Sequence, residues 1–181
     1  MKKQIGNTLA LYPMPLVVVG TMIEDKPNWV LVGHLGIIGH DRVMVSLAKS
    51  HYTNQGIKET RTLSINLVDV AMLEKADYVG CVSGRTTDKS EVFPYRIAEG
   101  GIPIINEAPV VMVCKVDDIY ETEGFESFIC KIAETYAETS VLTAEGKIDY
   151  RALKPVLFEM PTYEYLKTGE IIGKCKTINK K

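Results

Sequence analysis

Short apolar runs broken by polar residues, glycine and proline dominate the first third of the chain. Leu16 to Met22, Trp29 to Gly36, Val43 to Leu47 and Leu63 to Leu67 are rich in Val, Ile and Leu and read as strands. The unbroken Leu16-Val17-Val18-Val19 reads as a buried strand. In the third run Val43, Val45 and Leu47 alternate with Met44, Ser46 and Ala48, the period of a strand with two different faces. Glu24-Asp25-Lys26-Pro27 reads as a hairpin turn. Asn54 to Thr60 reads as a short helix with Thr53 as its N-cap. Asp69 can cap a second helix through Ala71, Leu73, Ala76 and Tyr78, which Gly80 would stop. Residues 83–109 read as a long irregular loop, of the kind that often carries function. Val110 to Ile119 and Ser127 to Ala133 read as two further strands joined by the polar link Tyr120 to Glu126. Glu145-Gly146 is a turn, and Asp149 caps a short helix ending before Pro155. Many strands with few, separated helices predict a mainly β fold with peripheral helices, a small barrel rather than alternating βα units.

The chain has 181 residues and no internal repeat, which predicts one domain spanning 1–181. Hydrophobic residues make up 46%, enough for a sizeable core, and a formal net charge of −2 argues against nucleic acid as a partner. Lys174, Lys176, Lys180 and Lys181 form a small basic tail that reads as solvated. Lys2 and Lys3 before an apolar run imitate a leader peptide, but Pro13 and Pro15 interrupt that run and no small-residue cleavage site follows. No stretch reaches the roughly 18 apolar residues of a membrane helix. The four cysteines, Cys81, Cys114, Cys130 and Cys175, are scattered without a C-x-x-C pair and read as reduced thiols of a cytoplasmic protein.

Candidate chemistry is densest just after the alternating strand. Ser46, Lys49, Ser50, Tyr52 and Thr53 put a cation and several hydroxyls beside the start of a helix. Free N–H groups there, a lysine and hydroxyls suit a phosphate monoester. The same segment also reads as a capped helix after a strand, with ordinary surface hydroxyls. The three histidines, His34, His40 and His51, match no common metal-ligand spacing, so no metal site is expected.

Four pieces taken in order carry a resemblance. Tyr12-Pro-Met-Pro-Leu-Val-Val-Val-Gly-Thr21 and Pro27-Asn-Trp-Val-Leu-Val-Gly-His-Leu-Gly-Ile37 precede the Ser46-Leu-Ala-Lys49 to Tyr52-Thr53 run, and Ser83-Gly-Arg-Thr-Thr-Asp-Lys89 follows it. This order resembles the flavin reductase-like FMN-binding family, split-barrel flavoproteins that include flavoredoxins, over about Leu9 to Gly173. A pyridoxamine-phosphate oxidase relative on a similar barrel fits the motif order less well.

The resemblance implies a split β-barrel that binds FMN at or near the interface of a homodimer. Ser46, Leu47, Lys49, Tyr52 and Thr53, with Ser83, Gly84, Arg85 and Lys89, would border the cofactor and its phosphate. The ring would lie along Val30, Leu31, Val32 and Gly33, whose backbone can serve its pyrimidine edge. Leu31 lacks the hydroxyl that family members offer there, and His34 stands where they carry an aromatic residue. A neutral His34 could hydrogen-bond the flavin or a substrate, or be satisfied by a backbone carbonyl. Asn66, on a strand, could meet the ribityl chain or brace the barrel. Tyr163 and Tyr165 resemble a late aromatic pair near the flavin, whereas Trp29 and Tyr12 read as core or dimer anchors. The activity implied is an NAD(P)H-dependent flavin reductase or flavoredoxin-type electron-transfer enzyme, with NADH or NADPH as donor and a small molecule or protein as redox partner. The flavin would carry the chemistry, since the chain shows neither a catalytic dyad nor a G-x-G-x-x-G fingerprint. A non-catalytic FMN-binding or electron-carrier protein is the alternative.

Overall fold

The computed structural model describes residues 1–177; Lys180 and Lys181 of the basic tail lie outside them. In chain order the elements are β1 (Met14–Pro15), β2 (Val17–Ile23), β3 (Lys26–Val32), β4 (Leu35–Ile37), β5 (Arg42–Ala48), α1 (Thr53–Thr60), β6 (Thr62–Leu67), α2 (Leu73–Cys81), β7 (Tyr95–Ala98), β8 (Ile102–Ile105), β9 (Val110–Glu121), β10 (Phe125–Ala137), α3 (Tyr150–Leu153), β11 (Val156–Glu159) and β12 (Glu164–Lys167). One antiparallel sheet of seven strands, in the order β3-β2-β6-β9-β10-β5-β4, forms the body. Its two end strands, β3 and β4, are separated in sequence only by Gly33 and His34. The sheet therefore has to curl until its ends come together, and the result is a split barrel.

The expected single strand from Trp29 to Gly36 is thus two strands. β3 pairs with β2, and β4 pairs with β5, Leu35 opposite Val45. The chain changes partner at Gly33, where a Cβ would stand 2.8 Å from the Phe158 ring. The backbone carbonyl of His34 then accepts from Ser46 N at 2.9 Å and ties the corner to β5.

Alternation along β2 feeds two cores. Val17 and Val19 face the barrel interior with Val30, Val45, Leu47, Ile65 and Phe128. Val18 faces outward into a second core with Trp29, Met72, Phe93 and Ile104. A strand covered on both faces reads as an unbroken apolar run, which explains Leu16 to Val19. On β6, Leu63 and Ile65 point inward, while Ser64 and Asn66 point out under β8. Gly20 makes room for the outer core: a Cβ there would intrude on the Trp29 ring and stand 2.7 Å from Ser64 Oγ.

Residues 83–109 are more ordered than expected, because β7 and β8 pair as a hairpin, Tyr95 opposite Ile105. The turn residues Gly100 and Gly101 have φ of +81° and +79°, a conformation glycine adopts freely. The β2–β3 turn forms as expected, with Glu24 and Asp25 at positive φ. Asp69 Oδ1 accepts from Met72 N at 3.0 Å at the start of α2, and Asp149 caps α3 through Arg151 N at 2.9 Å. Gly80 does not stop α2, which runs on to Cys81; its Cα packs closely on Leu31. A third sheet, β1-β11-β12, lies against the body, with Leu16 N donating to Val156 O at 2.9 Å.

Among the described residues no helix is long and apolar enough to cross a membrane. Cys114 and Cys130 are buried, and burial pushes the Cys114 thiol up to about 12, so it stays protonated. Gly20→Ala is expected to lower stability by about 1–3 kcal/mol, the cost of overpacking a filled site; urea unfolding of the variant measures it, and an unchanged midpoint would contradict this account of the outer core.

Candidate functional site

The corner at Gly33–His34 opens onto a cavity of about 550 Å³. Leu31, Val32, Gly33 and His34 form one wall, and Ser46, Leu47 and Ala48 of β5 form the next. Phe125 at the start of β10, with Phe158, Met160, Tyr163 and Tyr165 around the β11–β12 hairpin, adds an aromatic wall. Asp77, Gly80 and Cys81 of α2 close the remaining side. The volume lies within the roughly 300–1,000 Å³ of ligand sites, and mostly apolar walls suit a flat ring system.

A second depression, polar rather than apolar, lies alongside. Lys49, Asn54, Lys58 and Arg85 line it. His51 lines both, so the apolar cavity and the cationic depression adjoin through one side chain. Burial, and then the charge of Lys89, lower the pKa of His51, so its ring is neutral at pH 7. The cations here are the lysines and Arg85. Lys49 pairs with Glu121 at 3.0 Å, both largely exposed, a pair weak enough to be exchanged for an anionic ligand. Lys58 is held more firmly, at 2.8 Å from the buried Glu126, which also accepts from Asn54 Nδ2 at 2.6 Å. Arg85 stacks on the Tyr52 ring with its guanidinium 5.4 Å from the centroid, and it also borders a third depression lined by Asn28, Tyr52, Gly84 and Lys89.

The expected site residues separate into two groups. Leu31, Val32, Gly33, His34, Ser46 and Leu47 line the cavity, and Lys49, Tyr52, Gly84, Arg85 and Lys89 line the polar depressions beside it. Val30, Thr53, Asn66 and Ser83 line none of these depressions. Val30 points into the barrel core. Asn66 is wholly buried: its Nδ2 donates to Val18 O and Ser64 Oγ, and its Oδ1 accepts from Ile105 N at 2.9 Å. It braces the β7–β8 hairpin against the sheet. Ser83 organises its own loop, its carbonyl accepting from Thr86 N and Thr87 N.

Three local expectations need correction. Thr53 is not the N-cap of α1; it is the first residue of the helix, Tyr52 flanks it, and the Thr53 hydroxyl accepts from Asn28 Nδ2 at 2.7 Å. Nor are the first helical N–H groups all free, since Asn54 N and Gln55 N donate to His51 O and Tyr52 O. The close approach at Gly84 is to the chain itself, because a Cβ there would stand 2.8 Å from the Tyr52 ring.

Lys89 has a role that spacing alone does not reveal. It is buried, and its Nζ donates to the carbonyls of Val79 and Val82 at 3.1 Å each. A cation at the C-terminus of α2 satisfies carbonyls that the helix leaves open. Burial pulls its pKa down to about 8. Sequence reasoning also missed His51, Asp77, Cys81, Phe125, Phe158 and Met160, which reach the cavity from four separate segments. Among the described residues no cluster of three or more His, Cys, Asp or Glu side chains could hold a metal ion.

A curled antiparallel sheet whose open corner carries an apolar cavity beside a cationic depression is the architecture of the split-barrel flavoproteins. Residues 9–163 match the model of the flavin reductase like domain, and the chain belongs to that family. Among solved structures, flavoredoxin from Methanosarcina acetivorans is 31% identical, with a TM-score of 0.94 over 99% of this chain and 98% of its own. Flavoredoxin of Desulfovibrio vulgaris (Miyazaki F) is also 31% identical, with a TM-score of 0.91 over 99% of this chain and 100% of its own. The FMN-binding protein from Thermus thermophilus, at 18% identity and a TM-score of 0.82 over 96% and 97% of the two chains, shares the fold. No curated protein matches the sequence.

A lysine whose pKa is about 8 in the folded state and about 10.5 when unfolded binds fewer protons folded than unfolded between those values. Its contribution therefore makes stability rise with pH across that window. Urea unfolding from pH 8 to 10.5 should show wild type gaining stability relative to Lys89→Met as pH rises; parallel curves would mean that Lys89 is not desolvated.

Proposed function

We propose that the chain is an FMN-binding oxidoreductase of the flavin reductase or flavoredoxin type, reduced by NADH or NADPH. The observation that carries this reading is the contact through His51 of a flat-walled apolar cavity with a depression lined by Lys49, Lys58 and Arg85. A ring system with an anionic tail is the ligand shape that such a pair fits. Leu31, Val32 and Gly33 would flank the ring with main-chain donors and acceptors, and Phe158 would cover it. Lys49 and Arg85 would hold the phosphate, because Lys49 has only an exposed partner and Arg85 lies on an aromatic face. When bound, FMN supplies the redox chemistry, and the chain supplies binding, orientation and electrostatics.

Asp77 and Tyr165 also line the cavity. Tyr165 donates to Asp77 at 2.5 Å, and burial followed by this bond raises the phenol's pKa, so Tyr165 stays protonated. Tyr165 therefore does not act as an acid toward the cofactor at neutral pH. A non-catalytic electron carrier would use the same cavity, and only the rate of reduction separates the two.

We also infer a homodimer. Ile37 on the end strand β4 is 87% exposed, and Leu11 on the N-terminal arm is 77% exposed, apolar surface that a second copy would cover. Sedimentation of a monomer at all concentrations would refute this.

Lys49→Ala and Arg85→Ala should each weaken FMN binding by about tenfold, the worth of a charge-assisted hydrogen bond, with smaller losses at high salt. Flavin fluorescence titration reads the effect, and wild-type occupancy in both variants would remove the phosphate assignment. Mixed anaerobically with NADH or NADPH in a stopped-flow instrument, the flavin-loaded protein should lose its visible absorption band rapidly. Absence of bleaching with both donors leaves the carrier.

A further inference from the structure

We propose that His34, held by Tyr12, is a hydrogen-bond anchor for the carbonyl oxygen of a neutral, flat conjugated guest of the quinone type. This names an acceptor class for the cavity and rests on reading that cavity as a flavin site. The argument starts from proton accounting. Tyr12 Oη and His34 Nε2 are 2.8 Å apart and share one hydrogen bond. A neutral imidazole and a phenol together carry two polar protons. If Tyr12 donates to Nε2, the proton of His34 sits on Nδ1, which makes no hydrogen bond among the described residues. If Nε2–H donates to Tyr12, the phenol proton is left to Met160 Sδ at 3.3 Å, a weak thioether acceptor. The first arrangement leaves the free donor on His34, which lines the cavity with Met160; the second leaves it on Tyr12.

The surroundings narrow the guest. Phe125 packs on the His34 ring with centroids 5.8 Å apart, and Phe158 meets Tyr12 edge-on at 6.4 Å. Such walls favour a planar aromatic body. Asp77 lines the same cavity, and its carboxylate opposes an anionic guest. Of the other polar groups of the wall, Ser46 pairs with Ser127 at 2.6 Å and Asp77 with Tyr165, whereas the His51 ring and the Tyr163 hydroxyl make no side-chain hydrogen bond among the described residues. A neutral molecule whose only polar feature is a conjugated carbonyl fits all these conditions. Tyr12 itself does not line the cavity; it is a positioning residue that fixes the His34 ring from the N-terminal arm.

The test is calorimetric titration of the oxidised, FMN-loaded protein with 2-methyl-1,4-naphthoquinone and, separately, with 2-methylnaphthalene, which has the same shape without carbonyls. The quantity read is the ratio of the two dissociation constants. Relative to wild type, His34→Phe should shift that ratio toward the hydrocarbon by about threefold to tenfold, the equivalent of one neutral hydrogen bond. His34→Gln, which keeps an N–H donor, should recover part of the shift, and Tyr12→Phe should lose part of it. A ratio unchanged in His34→Phe, or a quinone that does not bind wild type, overturns the proposal; in the first case water already satisfies the pair. Failure of the protein to take up FMN counts against the flavin reading instead, and the same titration on flavin-free protein still reads the anchor.

Discussion

The rest of the structure depends on one topological constraint. Strands at opposite ends of a seven-stranded sheet are joined by two residues, Gly33 and His34. A flat sheet would hold those strands several interstrand spacings of about 4.8 Å apart, further than a two-residue link can reach. The sheet must curl, and the corner where it nearly closes cannot be filled by regular pairing. The cavity lies at that corner. Closure also brings β3, β5 and the loop after β5 together, so the apolar wall and the cationic cluster become neighbours although they lie far apart in sequence.

Much of this was legible in the chain because period and punctuation carry it. β2, β5 and β6 announce themselves through alternation or through a run covered on both faces. The break between β3 and β4 was not legible, because the apolar pattern continues across it and periodicity cannot say when a strand changes partner. β7 and β8 were hidden by their shortness, by Arg96 and by Pro103, although Gly100-Gly101 between two short strand-like tetrads is a usable hairpin signal. The polar half of the site is read from clustering near residues 46–53, and the loop at 83–89 joins it through the family resemblance. The local partners are ones that clustering does not specify: Lys89 donates to carbonyls at the end of α2, and Thr53 accepts from Asn28. The aromatic wall is assembled from segments near residues 125 and 158–165, and no spacing rule links them. Tyr163 and Tyr165 were placed there only by the family resemblance, which also gave no hint that Tyr12 would bond to His34.

Electrostatics in the molecule is arranged by burial rather than by net charge. The whole chain is nearly neutral, yet Lys49, Lys58 and Arg85 gather in one depression while Asp77 lines the adjoining cavity. Lys89 and Glu126 are both removed from water, the first by carbonyls and the second by Lys58 and Asn54. Each would be costly to bury alone, so these bonds also hold the flanking loops.

The bond from Asn28 to Thr53 gives the two halves of the site unequal stiffness. It joins β3 to α1, and Gly84 is wedged against Asn28 and Tyr52, so three segments interlock around the cationic end. The aromatic end rests on β11 and β12, and in β12 Glu164, Leu166 and Lys167 are open to solvent. Only Tyr165 of β12 packs against the outer core, so local opening of that outer strand requires less free energy than that of the barrel. A guest with a charged tail therefore meets a mould already set at one end and a pliable cover at the other.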